Sequence, residues 1–184
     1  WLPPASSGTY DLLVGHNTAY DRERLLTFGD DLHSMLRCDP VLQWKLQAEG
    51  HRLYLNEKIK IAHVNETELF PIMKGYYLWN RMFAPTRAKV FNWSRARRWI
   101  WILLAPFIPP VRLLKQFVFL ISNRPSLLFR FIRSLPVQVL AHSAAAAGQA
   151  MGLIFGVGDA ETAFLYYELN QDRREKNSVN VFLG

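Results

Sequence analysis

Apolar and basic residues dominate positions 95–158, and this stretch most constrains what the chain can fold into. Its first run, WIWILLAPFI, has ten residues before two prolines, whereas a helix needs about 20 residues to cross a bilayer core. Basic residues flank the run, and Trp99 and Trp101 lie at its edge, a pattern typical of a segment lying along a membrane interface. We therefore expect helices that place apolar faces in one leaflet and basic residues on anionic headgroups.

A second apolar run, Leu135–Val157, is long enough to cross a bilayer, but a polar stripe interrupts it. The members of the stripe, mostly four residues apart, are Arg130, Ser134, Gln138, His142 and Gln149. Inside a bilayer such a stripe needs a partner helix or water. Glycines at 148, 152 and 156 allow a close helix contact in either setting. A true membrane span and burial in a soluble helical bundle therefore stay open as alternatives.

The charge of the chain favours a membrane surface as a partner. The formal net charge is +7, and most of the excess follows residue 73, among Trp, Phe and Leu. No nucleic-acid partner is expected, because the arginines adjoin long apolar runs and no recognisable binding motif is present. The single cysteine, Cys38, excludes an intramolecular disulfide and is typical of a reducing compartment.

Three regions are predicted along the chain. Residues 1–94 combine short apolar runs and polar turns, up to about residue 64, with a mixed, helical stretch after it; residues 95–158 form membrane-associating helices, and residues 159–184 form a polar tail. The opening residues, WLPPASSGTY, have no basic segment before an apolar core and so do not match a signal peptide. Because the chain does not begin with methionine, we expect it to be the C-terminal part of a longer protein.

The segment VGHNTAYDRERLL, residues 14–26, follows an apolar run that is predicted to be a strand, and it has two interpretations. In the first, Gly15 makes a turn and Asn17 caps a helix over residues 18–27 that packs in the core. In the second, the turn presents backbone N–H groups and the side chains of His16 and Asn17 to a ligand. The spacing alone does not decide between them.

The residues that follow carry clear local signals. Asp39-Pro40 places an acid before a proline at the first helical position, and Gly50 ends the predicted helix over residues 40–49. RLYL and KIKIAHV are then predicted to be two strands, and His63 ends the apolar face of the second.

Three motifs in this order resemble a known enzyme family. They are G-H-N-x-x-Y-x-R-E-x-L-L, the acid that opens the helix in CDPVLQWKLQAEGHRLYL, and a strand ending in KIAHVN. Over about residues 1–65 this order is similar to the C-terminal half of the catalytic domain of family 2 glycosyltransferases. The later run AHSAAAAGQAMGLIFGVGDA is similar to the glycine-rich hydrophobic segment that follows that domain in many bacterial members.

The resemblance implies an α/β fold, in which a partial GT-A (nucleotide-diphospho-sugar transferase) domain precedes an α-helical hydrophobic C-terminal region. It also implies transfer of a sugar, with inversion, from a nucleotide-sugar donor to a glycan or lipid-linked acceptor. The expected place is the cytoplasmic face of the cell membrane, in the synthesis of a cell-surface glycan. Asp39 matches the general base that takes the proton from the acceptor hydroxyl. The implied substrate-binding positions are Gly15, His16, Asn17, Tyr20 and Arg22.

The resemblance further implies a divalent metal, Mn²⁺ or Mg²⁺. His63 is its candidate ligand, because some GT-A enzymes complete the metal site with a histidine on a late strand and imidazole is a competent ligand. Alternatives stay open for both polar candidates. His63 is alternatively interpreted as a histidine satisfied at the edge of a core strand, and Asp39 as a simple helix N-cap.

The chain also departs from the family pattern. Cys38 stands where the family often has glutamate, and Asp21 where many members have a basic residue. No D-x-D motif occurs in the 184 residues, so the nucleotide-binding half is expected upstream and the chain alone is predicted to be inactive. The alternative function is a non-catalytic membrane-associated subunit or anchor.

Overall fold

A computed structural model of the chain describes residues 6–13, 15–59 and 68–168. The chain divides into two compact units. The N-terminal unit comprises Trp1–Asn65 with Lys89–Asn92, and the helical unit comprises Glu66–Ala88 with Trp93–Gly184. His63 lies outside the described residues, so its two interpretations stay predictions.

The described residues of the N-terminal unit form two short strands and three α-helices. Strands β1 (Gly8–Tyr10) and β2 (Leu53–Leu55) pair antiparallel, with Gly8 opposite Leu55. The helices are α1 (Arg22–Leu26), α2 (Leu32–Leu36) and α3 (Asp39–Ala48). The buried apolar side chains among the described residues of this unit are Met35, Cys38, Val41, Leu42, Leu46 and Leu53. Most of them lie on α3 or directly before it, so this helix forms the centre of the unit.

The predicted α/β GT-A fold is wrong, because the described residues are mostly helical and their sheet has two strands of three residues each. The strand predicted at the apolar run ending at Val14 does not form at Leu12 or Leu13, since a glutamine side chain rather than a neighbouring strand takes up the Leu13 polar groups. RLYL does form a strand, but it pairs with β1. KIKIAHV is not a strand at Lys58 or Ile59, and its other residues lie outside the described part.

Local signals predicted the helices of this unit better than they predicted its strands. The helix expected at 40–49 is α3, with proline in its first turn, and Gly50 follows it with φ of +89°, a left-handed conformation that suits glycine. The helix expected at 18–27 is shorter. Asp21 caps it by accepting hydrogen bonds from Glu23 N at 2.9 Å and Arg24 N at 3.3 Å, so the prediction of Asn17 as its cap is wrong.

The helical unit is built from four long helices and a final helical segment at residues 160–168. The long helices are α4 (Leu69–Val90), α5 (Arg95–Leu103), α6 (Ile108–Asn123) and α7 (Leu128–Phe155). Ser94 caps α5 by accepting a hydrogen bond from Arg97 N at 3.2 Å. A 3-10 turn at Ala105–Phe107 separates α5 from α6, where the prolines of the APFIPP segment interrupt the helical hydrogen bonds.

Helices α4 and α7 approach closely at two glycines. A methyl group on Gly148 would overlap the Tyr77 carbonyl oxygen, and one on Gly152 would overlap the Arg81 carbonyl oxygen. Between these glycines, Gln149 Nε2 donates a hydrogen bond of 3.0 Å to Asn80 Oδ1, and both side chains are buried. The close contact expected from the glycine spacing is therefore present at Gly148 and Gly152, whereas Gly156 makes no such contact and caps the end of α7. Helix α4 is the partner that the polar stripe needs at this point.

Among the described residues, no single helix is both long and apolar enough to cross a membrane. Taken together, the pair Arg95–Leu103 and Ala105–Asn123 is long and apolar enough to do so by length and composition alone, and its two parts meet at a bend of 47°. Large apolar side chains on these helices are exposed: Leu103 has 72% of its surface accessible and Leu114 has 62%.

Candidate functional site

Gln43 on α3 holds the segment that precedes the Gly-His-Asn turn. Its side chain is completely buried. The Leu13 backbone N donates to Gln43 Oε1 at 2.7 Å, and Gln43 Nε2 donates to the Leu13 carbonyl oxygen at 3.0 Å. One amide side chain thus replaces the hydrogen bonds that a neighbouring strand would make. The sequence gives little sign of this role, since Gln43 simply follows the apolar pair Val41 and Leu42.

Gly15 and Asp39 are in direct contact. Gly15 begins a 3-10 turn, Gly15–Asn17, and Asp39 is the first residue of α3. A Cβ atom built on Gly15 would overlap the Asp39 carboxylate, and the three atoms nearest to it all belong to the Asp39 side chain. Only glycine therefore leaves room for the carboxylate at this place.

The position of Asp39 at the start of α3 favours its ionised form. The first turn of a helix exposes backbone N–H groups and the positive end of the helix dipole, which stabilise a negative charge. Cys38 occupies the N-cap position and makes no side-chain capping bond. The alternative in which Asp39 is the N-cap is therefore not what the structure has, because Asp39 lies one residue inside the helix.

Tyr20 is the third member of this group. Its side chain is half-buried, and its Oη accepts a hydrogen bond from Gln43 Nε2 at 3.3 Å. Burial is the largest effect on the pKa of Tyr20 and raises it. The hydrogen bond from Gln43 lowers this pKa, the negative charge of Asp39 raises it by a smaller amount, and the hydrogen bond with Thr18 lowers it least. Tyr20 is consequently a neutral phenol at physiological pH and can donate a hydrogen bond.

The other predicted substrate-binding residues are placed differently. Asn17 Nδ2 donates a hydrogen bond of 3.3 Å to the Ile59 carbonyl oxygen, so its amide joins the turn to the residues after β2. Arg22 is the exposed first residue of α1. The backbone of His16 lies in the 3-10 turn. The structure thus brings together Gly15, Asp39 and Tyr20, adds Gln43, and leaves Asn17 in a structural contact.

No group of three or more His, Cys, Asp or Glu side chains in the described part of the chain is arranged to hold a metal ion. Asp39 and Tyr20 offer one carboxylate and one neutral phenol, a set too small for a divalent-metal site. The predicted ligand His63 lies outside the described residues, so the metal stays a prediction.

Comparison of the chain with protein-family models, with curated proteins and with solved structures finds no match. The roles of the residues at this site therefore rest on their geometry and chemistry.

Proposed function

We propose that this chain supplies the acceptor-activating part of an inverting glycosyltransferase, with Asp39 as the general base. The observation that supports this role is the placement of the Asp39 carboxylate at the N-terminus of α3, against Gly15 and beside the neutral phenol of Tyr20. A base needs to be ionised, fixed in position and close to a hydrogen-bond donor that can orient its substrate. Three observations support these needs: the place of Asp39 at the start of α3, its contact with Gly15, and the effect of its charge on Tyr20.

The proposed reaction is a single displacement. The acceptor hydroxyl oxygen forms a bond to the anomeric carbon of the donor while the bond from that carbon to the donor phosphate oxygen breaks. The nucleoside diphosphate leaves with the electron pair, and the hydroxyl proton passes to the Asp39 carboxylate. Attack from the face opposite the leaving group inverts the anomeric centre.

Each neighbour of Asp39 has a distinct part in this proposal. Gly15 leaves space beside the carboxylate. Tyr20 can donate a hydrogen bond to an acceptor hydroxyl, because its raised pKa keeps the phenol protonated and its oxygen is oriented by Gln43. Gln43 is a positioning residue, since it fixes both Tyr20 and the backbone of Leu13 from a buried position. Activation of the hydroxyl by a positioned base typically contributes about 10²–10⁴-fold to the rate.

The proposed reaction also needs a sugar donor, and the site around Asp39 does not include the residues that would bind it. A nucleotide-sugar would be held by residues outside the described part of the chain, with Mn²⁺ or Mg²⁺ at its diphosphate. The acceptor is a glycan or a lipid-linked sugar at the cytoplasmic face of the membrane. The exposed apolar residues of α5 and α6 support a membrane location.

The second candidate is a membrane-associated subunit or anchor without catalytic activity. The same exposed apolar faces on α5 and α6 favour it, because they suit a lipid surface whether or not Asp39 takes part in chemistry. The two candidates differ in what they require of Asp39.

The test is an assay of nucleoside diphosphate release by the full gene product that contains this chain, with membranes as the source of acceptor. We expect Asp39→Asn, which keeps the size of the side chain, to lower turnover by about 100-fold or more. The matched control is Asp30→Asn, an exposed carboxylate of the same unit, which should leave turnover unchanged. Equal turnover in the Asp39→Asn and unaltered proteins would contradict the base and favour the anchor.

A further inference from the structure

Aromatic rings surround the Arg87 guanidinium in the helical unit, near the end of α4. The Arg87 Cζ lies 4.4 Å from the centroid of the Trp93 ring and 4.5 Å from that of the Trp101 ring. It also lies 5.2 Å from the Phe83 centroid, and Arg97 Cζ lies 4.6 Å from the Trp93 centroid. Cation–π contacts stabilise a guanidinium through its face, so its N–H groups at the edge still need acceptors.

The edge of the Arg87 guanidinium lacks those acceptors. Its Nε and Nη2 atoms are buried and have no hydrogen-bond partner among the described residues. Burial lowers the pKa of Arg87 to about 10, and the positive charges of Arg97 and Arg112 contribute to the lowering. Burial also lowers the pKa of Arg112. The charges of Arg97 and Arg112 therefore act against that of Arg87, whose buried Nε and Nη2 donors are unused.

The surrounding sequence provides no acid to balance them. No aspartate or glutamate occurs between Glu68 and Asp159, a stretch that contains all of α4, α5, α6 and α7. Burying the N–H donors of a half-buried guanidinium without a carboxylate partner is costly, because their lost solvation is not replaced. An anion from outside this stretch is the partner that these charges lack.

We propose that Arg87, Arg97 and Arg112 bind a phosphate group. The guanidinium fork matches the oxygens of phosphate, and one phosphate offers enough acceptors and charge for more than one arginine. The two unpaired Arg87 N–H groups would donate to it, while Trp93 and Trp101 hold the plane of the guanidinium fixed. This site does not depend on the function proposed for Asp39.

Lipid headgroups and soluble phosphate compounds share this chemistry, and the surface beside the arginines favours the lipid source. Exposed large apolar residues of α5, the 3-10 turn and α6 include Trp99, Ile100, Leu103, Phe107 and Leu114. A phospholipid would place its phosphate on the arginines and its acyl chains along such residues.

The experiment uses the full 184-residue chain and two probes. One arm adds inorganic phosphate, with chloride at equal ionic strength as the reference, and records tryptophan fluorescence, since Trp93 and Trp101 contact Arg87 directly. The other arm measures binding to phosphatidylcholine vesicles with and without phosphatidylglycerol. We expect a fluorescence change specific to phosphate and tighter binding to the vesicles that contain phosphatidylglycerol.

Variants separate a phosphate site from general attraction between charges. Arg87→Lys keeps the charge but loses the fork, so phosphate and vesicle binding should weaken by about tenfold or more. Arg97→Gln, at an exposed position that the fold tolerates, should weaken both by a similar factor. The control Arg133→Gln removes an exposed charge of α7 that is not among the charges lowering the Arg87 pKa, and it should cost about fivefold or less on vesicles alone.

Each outcome decides the proposal. A response to vesicles, with or without one to inorganic phosphate, supports the site and assigns it to lipid, whereas a response to inorganic phosphate alone supports it and assigns a soluble phosphate compound. The proposal would be overturned if the unaltered chain responded neither to inorganic phosphate nor to the vesicles that contain phosphatidylglycerol. So would Arg87→Lys and Arg97→Gln variants that bind as Arg133→Gln does.

Discussion

Replacing Gly15 by alanine tests the geometry on which the candidate site depends. The new methyl group would overlap the carboxylate and Cγ of Asp39, and it would lie 3.1 Å from the Asp39 Cβ. The backbone at Gly15 is not in the left-handed region, so alanine introduces no backbone strain of its own. The whole effect should therefore come from the contact with Asp39.

The expected loss in the free energy of unfolding is the cost of relieving that overlap. Asp39 has to leave its rotamer or the turn has to shift, and overpacking of this kind costs about 1–3 kcal/mol. When Asp39 is also replaced by alanine, the overlapping atoms are gone. Gly15→Ala should then be neutral or should stabilise the unit by about 0.4–1 kcal/mol, because alanine restricts the unfolded chain. The sign of the Gly15→Ala effect thus depends on Asp39.

The assay is hydrogen exchange of the α3 amides, read by mass spectrometry in the single variants and the double variant, since exchange reports the stability of this unit separately from the helical unit. Gly8→Ala is the matched control, because its methyl group would meet only Tyr10 Cε2 at an ordinary 3.8 Å. Additive effects of Gly15→Ala and Asp39→Ala would refute the contact and with it the proposed site.

Two further predictions concern buried polar side chains. Gln43→Leu should lower the free energy of unfolding by about 1–3 kcal/mol for each of the two Leu13 backbone groups that it leaves unpaired, measured by hydrogen exchange. It should also raise the Tyr20 pKa further in an ultraviolet titration, and an unchanged value would contradict the hydrogen bond. Burial and the charge of Arg112 lower the pKa of His142 from its ordinary 6.5. The unfolded chain therefore binds the proton more readily than the folded chain does, so the stability of the fold should fall as the pH drops below 6.5. His142→Gln should flatten this dependence in thermal melts, and the same slope in both proteins would rule out His142 as its source.

The sequence predicted those features of the fold that depend on neighbours along the chain. Pro40 and Gly50 bound α3, and the glycines at 148 and 152 lie where α7 meets another helix, because caps, turns and close contacts follow from local residue type and spacing. The α/β prediction failed because strands depend on partners distant in the chain. Leu13 lies in an apolar run that is typical of a strand, yet its backbone hydrogen bonds are made with the side chain of Gln43, thirty residues away.

The candidate site was predictable only where the residue type itself indicates a role. Gly15, Tyr20 and Asp39 stand out as residue types suited to a turn, a hydrogen bond and a base, and the structure brings them together. Gln43 was missed because a glutamine within a helix is usually a surface residue. The Arg87 cluster was missed because three arginines on different helices show no common spacing. The long stretch without acids is the signal in the sequence that points to it.

Several residues of α7 are placed in the reverse of the order expected for a helix in water, although Arg130 and Arg133 are exposed. His142 and Gln149 are buried, with partners on α6 and α4, whereas large apolar side chains such as Phe129, Ile132 and Phe155 are exposed. A helix that packs its apolar face in a protein core and its polar face in water shows the opposite order. An apolar medium outside the helix makes this order favourable, because the polar side chains then find their hydrogen bonds within the protein. Burial in a soluble bundle would leave these apolar residues in water, and this supports the lipid surface that we propose for either function.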